Sequence, residues 1–505
     1  MSLRRFVFAL LAYGSVHAQE SSLPGAVLTR GPYLQRAATN QIVIRWRTDV
    51  AVAGRVVYGR NFPASEFELS EATQSTEHII VLTNLLPQTR YYYSIQAERE
   101  LASGEEFFFE TSPVASAPTR IWVIGDSGTQ TTNQLAVRDA YYRFTTNRHT
   151  DLWLMLGDNA YAVGFDSVYQ AAVFNVYPEL LRSSVLWPAI GNHELTPTDP
   201  SNKDFPFLHI FSLPAAGECG GVASGSSKYY SFDYGNMHFV CLDSESSPRT
   251  PPSPMLDWLE RDLMANQKLW TIAYWHSPPY SRGGHDSDLN VEQTEMRQNA
   301  VAILERRGVD LVLCGHSHSY ERSYLMDGNY GPSATYTLAM RLNPGDGATG
   351  GSGPYYKPES LGRQGTVYVV AGSSGQLDGG GTLDHPAMYY SARFLGSVVL
   401  DVDGGKLNAR FLTSTGDVPD HFTIIKGDDA ENFRVRAQIA NGTATLTWPS
   451  LVGHTYTVYF TTDLGAGTWL ALSEPTAATT AITTWKGSLP NGASSGFLRV
   501  SLQPD

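Results

Sequence analysis

Cysteine is nearly missing from this chain: 505 residues carry three, at positions 219, 241 and 314, and no two form a CxxC pair. A thiolate zinc site is thereby excluded, as is a disulfide framework. A single Cys219–Cys241 bridge stays open, whereas Cys314 lies inside an apolar strand and reads as a buried free thiol. Long hydrophobic runs are lacking too. The stretch from Phe6 to Tyr13 is too short to span a bilayer, and no later segment approaches the length required. Basic residues are in deficit, 36 Lys and Arg against 49 Asp and Glu, a formal charge of −13. That balance argues against nucleic acid or an anionic membrane as partner. It also means that a site for an anion must be made positive locally, which bound metal ions would do most simply.

What is present is ordinary globular material, 42% apolar and 17% charged, in a chain longer than one compact domain. Arg4 and Arg5, the apolar stretch after them and Val16-His17-Ala18 read as a cleavable leader over residues 1–18. The protein is therefore expected to be secreted or periplasmic, with cleavage after Ala18. Residues 25–113 alternate in strand fashion, as in Gln41 to Arg47 and Arg90 to Gln96, and predict an all-β sandwich. Ser112 to Pro118 reads as the linker behind it. From 118 to 426 continuous apolar strands alternate with helical patterns, notably 133–146, 253–266 and 290–307, predicting a layered α/β domain. Two glycine-rich loops, 344–358 and 376–385, interrupt it, and the second follows a strand end where it could line a cleft. Residues 432–505 return to short alternating strands and predict a second, smaller β-sandwich.

Five apolar strands of the middle domain end in ligand-type residues. In order these are Gly125-Asp126-Ser127-Gly128, Gly157-Asp158-Asn159-Ala160-Tyr161, Gly191-Asn192-His193-Glu194, Ala273-Tyr274-Trp275-His276 and Gly315-His316-Ser317-His318. A leading glycine lets the backbone turn sharply off the strand and present the next side chain to the crevice. Two carboxylates, a phenol, an amide and several imidazoles suit a pair of first-row metals rather than calcium. Each motif alone is weak; five in this order, each behind an apolar strand, are not.

The series resembles the purple acid phosphatases of the calcineurin-like metallophosphoesterase superfamily, whose pattern is GDxG…GDxxY…GNH(D/E)…VxxH…GHxH. Ala273 departs from the usual valine. The 82–91 segment is similar to the signature of fibronectin type III modules, which often precede that domain. The resemblance implies a four-layer αββα catalytic domain over 118–426. It implies a ferric ion on Asp126, Asp158, Tyr161 and His318, and a divalent ion (zinc, manganese or iron) on Asn192, His276, His316 and the shared Asp158. It implies hydrolysis of phosphate monoesters at acidic pH by a hydroxide on the metals, with His193 protonating the leaving group and His285 on the substrate side. Glu194 and Glu321 are expected to orient ligand imidazoles. Two alternatives remain: a phosphodiesterase or nucleotide pyrophosphatase on the same scaffold, and a non-catalytic adhesion or carbohydrate-binding protein. The C-terminal module resembles appended modules that contact glycans or a cell surface.

Overall fold

The structure, a computed structural model, describes residues 25–195, 205–357, 364–426, 435–440, 442–450, 455–463, 468–480, 482–490 and 495–502. The leader expected at 1–18 lies outside them. The site rests on two stacked sheets. The first has ten strands, in the order Tyr355–Lys357, Asp420–Lys426, Lys406–Thr413, Gly396–Asp403, Thr119–Ile124, Leu152–Met155, Val185–Pro188, Leu28–Gln35, Gln41–Val52 and Ser75–Thr83. The second has seven: Tyr230–Tyr234, Met237–Cys241, Trp270–Trp275, Leu311–Cys314, Val367–Ala371, Tyr320–Ser323 and Met388–Ala392.

The central strands are parallel, Thr119–Ile124 beside Leu152–Met155 beside Val185–Pro188 in one sheet, and Met237–Cys241 through Val367–Ala371 in the other. They are apolar throughout because both faces are covered. In the second sheet Ile272 and Tyr274 face the first sheet, while Ala273 and Trp275 belong to a separate cluster with Met255, Leu259, Val301 and Leu304. Those partners lie on the helices Pro254–Ala265 and Val301–Arg306. On the far face of the first sheet, Trp122 stacks on Tyr141 of the helix Thr132–Thr145, ring centroids 4.4 Å apart. Helix, sheet, sheet and helix therefore form four layers, as expected.

The N-terminal part is less separate than its composition suggests. Three of its strands extend the catalytic sheet, Leu34 pairing parallel with Val185. Its other sheet holds Phe67–Ser70, Arg55–Gly59, Arg90–Gln96, Glu100–Ala102 and Phe108–Glu110. Polar contacts seal the junction: Tyr33 donates to the Ile210 carbonyl at 2.7 Å, Arg45 to that of His209 at 2.6 Å, and Arg30 and Arg47 grip Asp166. The linker at 112–118 is thus a boundary in sequence but not in the sheet.

The C-terminal residues form two small sheets around Leu446, Trp448, Tyr456, Val458, Ala478 and Val500. All three cysteines are free and buried, so the Cys219–Cys241 bridge left open by the sequence is not formed. Among the described residues no helix is long and apolar enough to cross a membrane.

Candidate metal centre

All five strand-end motifs meet at one edge of the stacked sheets. Asp126, Asp158, Tyr161 and Asn192 come from the loops behind the first sheet, and His276, His316 and His318 from those behind the second. The turns are tighter than glycine alone provides. Asp126, Asp158 and His316 themselves adopt left-handed backbone, with φ of +56°, +52° and +67°. Such conformations cost about 1 kcal/mol or more each and gather at functional sites. Of the four leading glycines only Gly157 has positive φ. The others serve close approach: a Cβ on Gly191 would overlap Asp158, and one on Gly315 would overlap Asp126 Oδ2. The expectation that each glycine makes the turn is corrected accordingly.

Two groups of donors converge. In the first, the Tyr161 hydroxyl lies 2.7 Å from Asp158 Oδ2, 3.2 Å from Asp126 Oδ1 and 3.1 Å from His318 Nε2. In the second, His276 Nε2 and His316 Nδ1 stand 3.2 Å apart and lie 3.0 and 3.1 Å from Asn192 Oδ1. Asp158 reaches both, its Oδ1 being 3.5 Å from His276 Nε2. The imidazoles are oriented from behind. His276 Nδ1 faces the Leu156 carbonyl at 2.9 Å, and His318 Nδ1 faces Asp378 at 2.7 Å, leaving Nε2 of each for the centre. The free face of the second group consists of ring nitrogens around an oxygen, a set that suits a first-row metal.

Electrostatics agree with cation-binding sets. Burial pushes the Tyr161 phenol far up, and Asp126 and Asp158 push it further. Burial would raise the Asp158 carboxyl as well, but His276 outweighs it and holds that carboxyl below the usual range. His276 is raised against burial by Asp158 and Asp126, and His318 is pushed up to about 10 against burial by Asp126 and Asp378. Burial and the neighbouring His276 keep His316 well below its ordinary value. Protons thus sit where a metal would displace them.

His193 and His285 flank this centre. His193 is one-third exposed; its Nδ1–H donates to the Ala162 carbonyl at 2.7 Å, and its Nε2 lies 3.9 Å from Asp158 Oδ2. The His285 ring stacks on His316 with centroids 3.9 Å apart. The two glutamates act differently from the expectation. Glu194 accepts from the backbone N–H groups of Gly191, Asp158 and Asn159 at 2.6, 2.8 and 2.8 Å. Glu321 accepts from Ser281, Ser319 and the Arg282 N–H. Neither bonds an imidazole, because each is enclosed by loop donors that need an acceptor. The carboxylate that does is Asp378, and Gln376 Nε2 lies 3.2 Å from His318 Nε2. Both stand in the 376–385 loop, whose position behind a strand end was the one signal in the sequence.

Glu110, His149 and Asp151 also converge, at the opposite end of the Leu152–Met155 strand. There Arg90 pairs with Glu110 at 2.7 Å and Arg148 stands 3.6 Å from Asp151. Protein cations already balance those carboxylates, so we do not read that group as a metal site.

Comparison with known proteins adds the following. Residues 119–320 match the calcineurin-like phosphoesterase family. Two relatives from Arabidopsis thaliana are "Probable purple acid phosphatase 20", 28% identical over 310 residues, and "Purple acid phosphatase 23", 30% identical over 296 residues. The alignments cover 57% and 53% of this chain, and 68% and 61% of the relatives' own lengths. The fold is similar to that of a purple acid phosphatase from yellow lupin (Lupinus luteus) seeds, with TM-score 0.61 and 18% identity over 80% of this chain and 76% of that one.

Proposed function

This chain carries a calcineurin-like metallophosphoesterase domain with purple acid phosphatases among its relatives, which supports a metal-dependent phosphomonoester hydrolase; on that premise we propose an exported binuclear acid phosphatase. The observation that carries the reading is Asp158, whose two oxygens face two separate donor sets. Asp126, Asp158, Tyr161 and His318 would hold a ferric ion, and Asn192, His276, His316 and Asp158 a divalent zinc, manganese or iron. Bound there, the metals supply Lewis-acid polarisation of the phosphate and a water acidic enough to serve as nucleophile.

The chain's own groups bind, orient and move a proton. With Nδ1 held by the Ala162 carbonyl, His193 turns Nε2 to the site, where it protonates the departing alkoxide. His285, held over His316, donates to a phosphoryl oxygen of the ester. The leader at 1–18 accounts for export. We take the N-terminal sandwich as fibronectin-like and the C-terminal sandwich as a contact module for glycans or a surface.

Metal analysis with a visible spectrum, and hydrolysis rates for p-nitrophenyl phosphate and its bis ester, test this reading. We expect iron plus a second metal, a purple band lost in Tyr161→Phe, and faster monoester hydrolysis that chelation abolishes. A faster diester rate turns the reading to a phosphodiesterase. A protein that takes up no metal and cleaves neither ester refutes it.

A further inference from the structure

The 372–385 segment runs across the mouth of the centre between the strands Val367–Ala371 and Met388–Ala392. It touches both sides of the site. Asp378 and His318 are joined by three hydrogen bonds. The Asp378 N–H donates to the His318 carbonyl at 3.2 Å, the His318 N–H to Asp378 Oδ2 at 3.0 Å, and His318 Nδ1–H to Asp378 Oδ1 at 2.7 Å. The same carboxylate lies so close over Gly284 that a Cβ there would overlap Asp378 Oδ2. Gly284 directly precedes His285. Further along, the Leu383 N–H donates to the Arg282 carbonyl at 2.9 Å, and Arg282 pairs with Asp384 at 3.2 Å. A Cβ on Gly381 would overlap the Gly283 carbonyl. One loop therefore meets a candidate ligand, His318, with Asp378 and Gln376, and the stem of the substrate-side histidine with several residues.

We propose that Asp378 is the positioning residue of this centre. It fixes the His318 ring with Nε2 toward the Tyr161 and Asp126 oxygens, and by seating on Gly284 it sets where His285 stands. The inference rests on the proposed function for its metal and substrate but not for its geometry. A carboxylate on the rear nitrogen of a ligand imidazole locks tautomer and ring angle and raises ligand basicity. Among the described residues only the first donor set has one: His276 uses the Leu156 carbonyl, and His316 Nε2 meets no hydrogen-bond partner. Asp378 thereby distinguishes the two metal positions, making the His318 side the stronger electron donor. Length matters as well as charge, because the Asp378 carboxylate already lies against Gly284 while bonding His318 Nδ1, so a glutamate would have to displace one of these contacts.

The test uses full-length protein carrying Asp378→Asn, Asp378→Ser and Asp378→Glu. Three readouts are metal retention against a graded chelator, the visible band of the loaded protein, and kcat and KM for p-nitrophenyl phosphate. We expect Asp378→Asn to lose one metal equivalent about 10- to 100-fold more readily while the second equivalent holds. Its band should shift, because the fourth ligand of the tyrosine-bearing set has moved. Asp378→Glu should not rescue retention, and KM should rise in all three as His285 shifts. Retention within about twofold of wild type together with an unshifted band in Asp378→Asn overturns the proposal. So does a metal-free Asp378→Asn that has lost its folded near-UV signal, which would assign Asp378 to folding. A wild type that binds two metals with unequal retention but cleaves no phosphate ester would refute the proposed function and leave the retention test of Asp378 intact.

Discussion

Glu194 is the sharpest place to test how the centre is held together. Its Oε2 accepts from Gly191 N–H at 2.6 Å and Asp158 N–H at 2.8 Å, and its Oε1 from Asn159 N–H at 2.8 Å. The loop behind the Leu152–Met155 strand is thereby stitched to the one behind Val185–Pro188, and Asp158 is held against Asn192. In Glu194→Gln the amide nitrogen can replace only one oxygen. Placed at Oε1 it faces the Asn159 N–H and loses a single bond; placed at Oε2 it loses two. A charge-assisted bond contributes about 1.5–3 kcal/mol, and the orphaned buried N–H adds to the loss. Burial and Asp158 push the Glu194 carboxyl up, so removing its charge recovers part of that cost. The net is about 2 kcal/mol for Gln, and about 4 kcal/mol for Glu194→Ala, which strands all three donors beside a cavity. At roughly 2–3 °C per kcal/mol for a domain of this size, calorimetry of metal-free protein should show transitions lowered by about 5 and 10 °C. Both variants should also release metal to a chelator sooner than wild type. An Ala variant that melts within about 2 °C of wild type refutes the account, since three buried N–H groups would then be satisfied without Glu194.

Further outcomes follow from the same geometry. His193→Ala should lower kcat about 10²- to 10⁴-fold for an alkyl phosphate but far less for p-nitrophenyl phosphate, whose leaving group departs without a proton. Equal losses on the two substrates would remove His193 from the acid role. His238 lies between Asp233 at 2.8 Å and Asp262 at 2.9 Å, and burial, which lowers its pKa, is outweighed by these carboxylates so that it rises to about 9. A folded pKa above the model value of 6.5 stabilises fully below pH 6.5, and that stability is lost as pH rises to about 9. The amount is of the order of 3 kcal/mol, and unfolding curves of wild type and His238→Gln should converge in their pH dependence above it. Parallel pH profiles between pH 6.5 and about 9 would refute the assignment.

The candidate ligand residues could be picked out in the sequence because each sits within a few residues of an apolar strand's end, a local pattern that needs no knowledge of the rest of the chain. The layered α/β character followed from the same strands, whose doubly apolar character demands cover on both faces, while the four-layer form was what the family resemblance implied. What failed to show was what depends on distant pairing. Asp378 stands 60 residues from His318, and no spacing rule connects them. Glu194 was expected to orient a ligand imidazole, yet its contacts are three backbone donors that come together only when two loops fold inward. The union of the N-terminal strands with the catalytic sheet turns on an edge left free at Val185, which composition does not record. Cys219 and Cys241 were ambiguous for the same reason: spacing along the chain does not fix separation in space.

Each donor set takes residues from both sheets. The Tyr161 set joins three oxygen donors of the first sheet to His318 of the second, and the other set joins Asn192 and Asp158 to His276 and His316. Metal ions held by these sets would therefore bridge two layers whose remaining contact is largely side-chain packing, and would relieve the mutual repulsion of Asp126 and Asp158. Ligation of the folded state alone stabilises by about 4 kcal/mol at a thousandfold excess over the dissociation constant. That gain falls on the interface between the sheets, so metal loading should protect the amides of the Leu152–Met155 and Leu311–Cys314 strands from exchange together. The left-handed turns at Asp126, Asp158 and His316 fit the same logic: strain that packing alone would have to sustain is offset once the ligands share a cation.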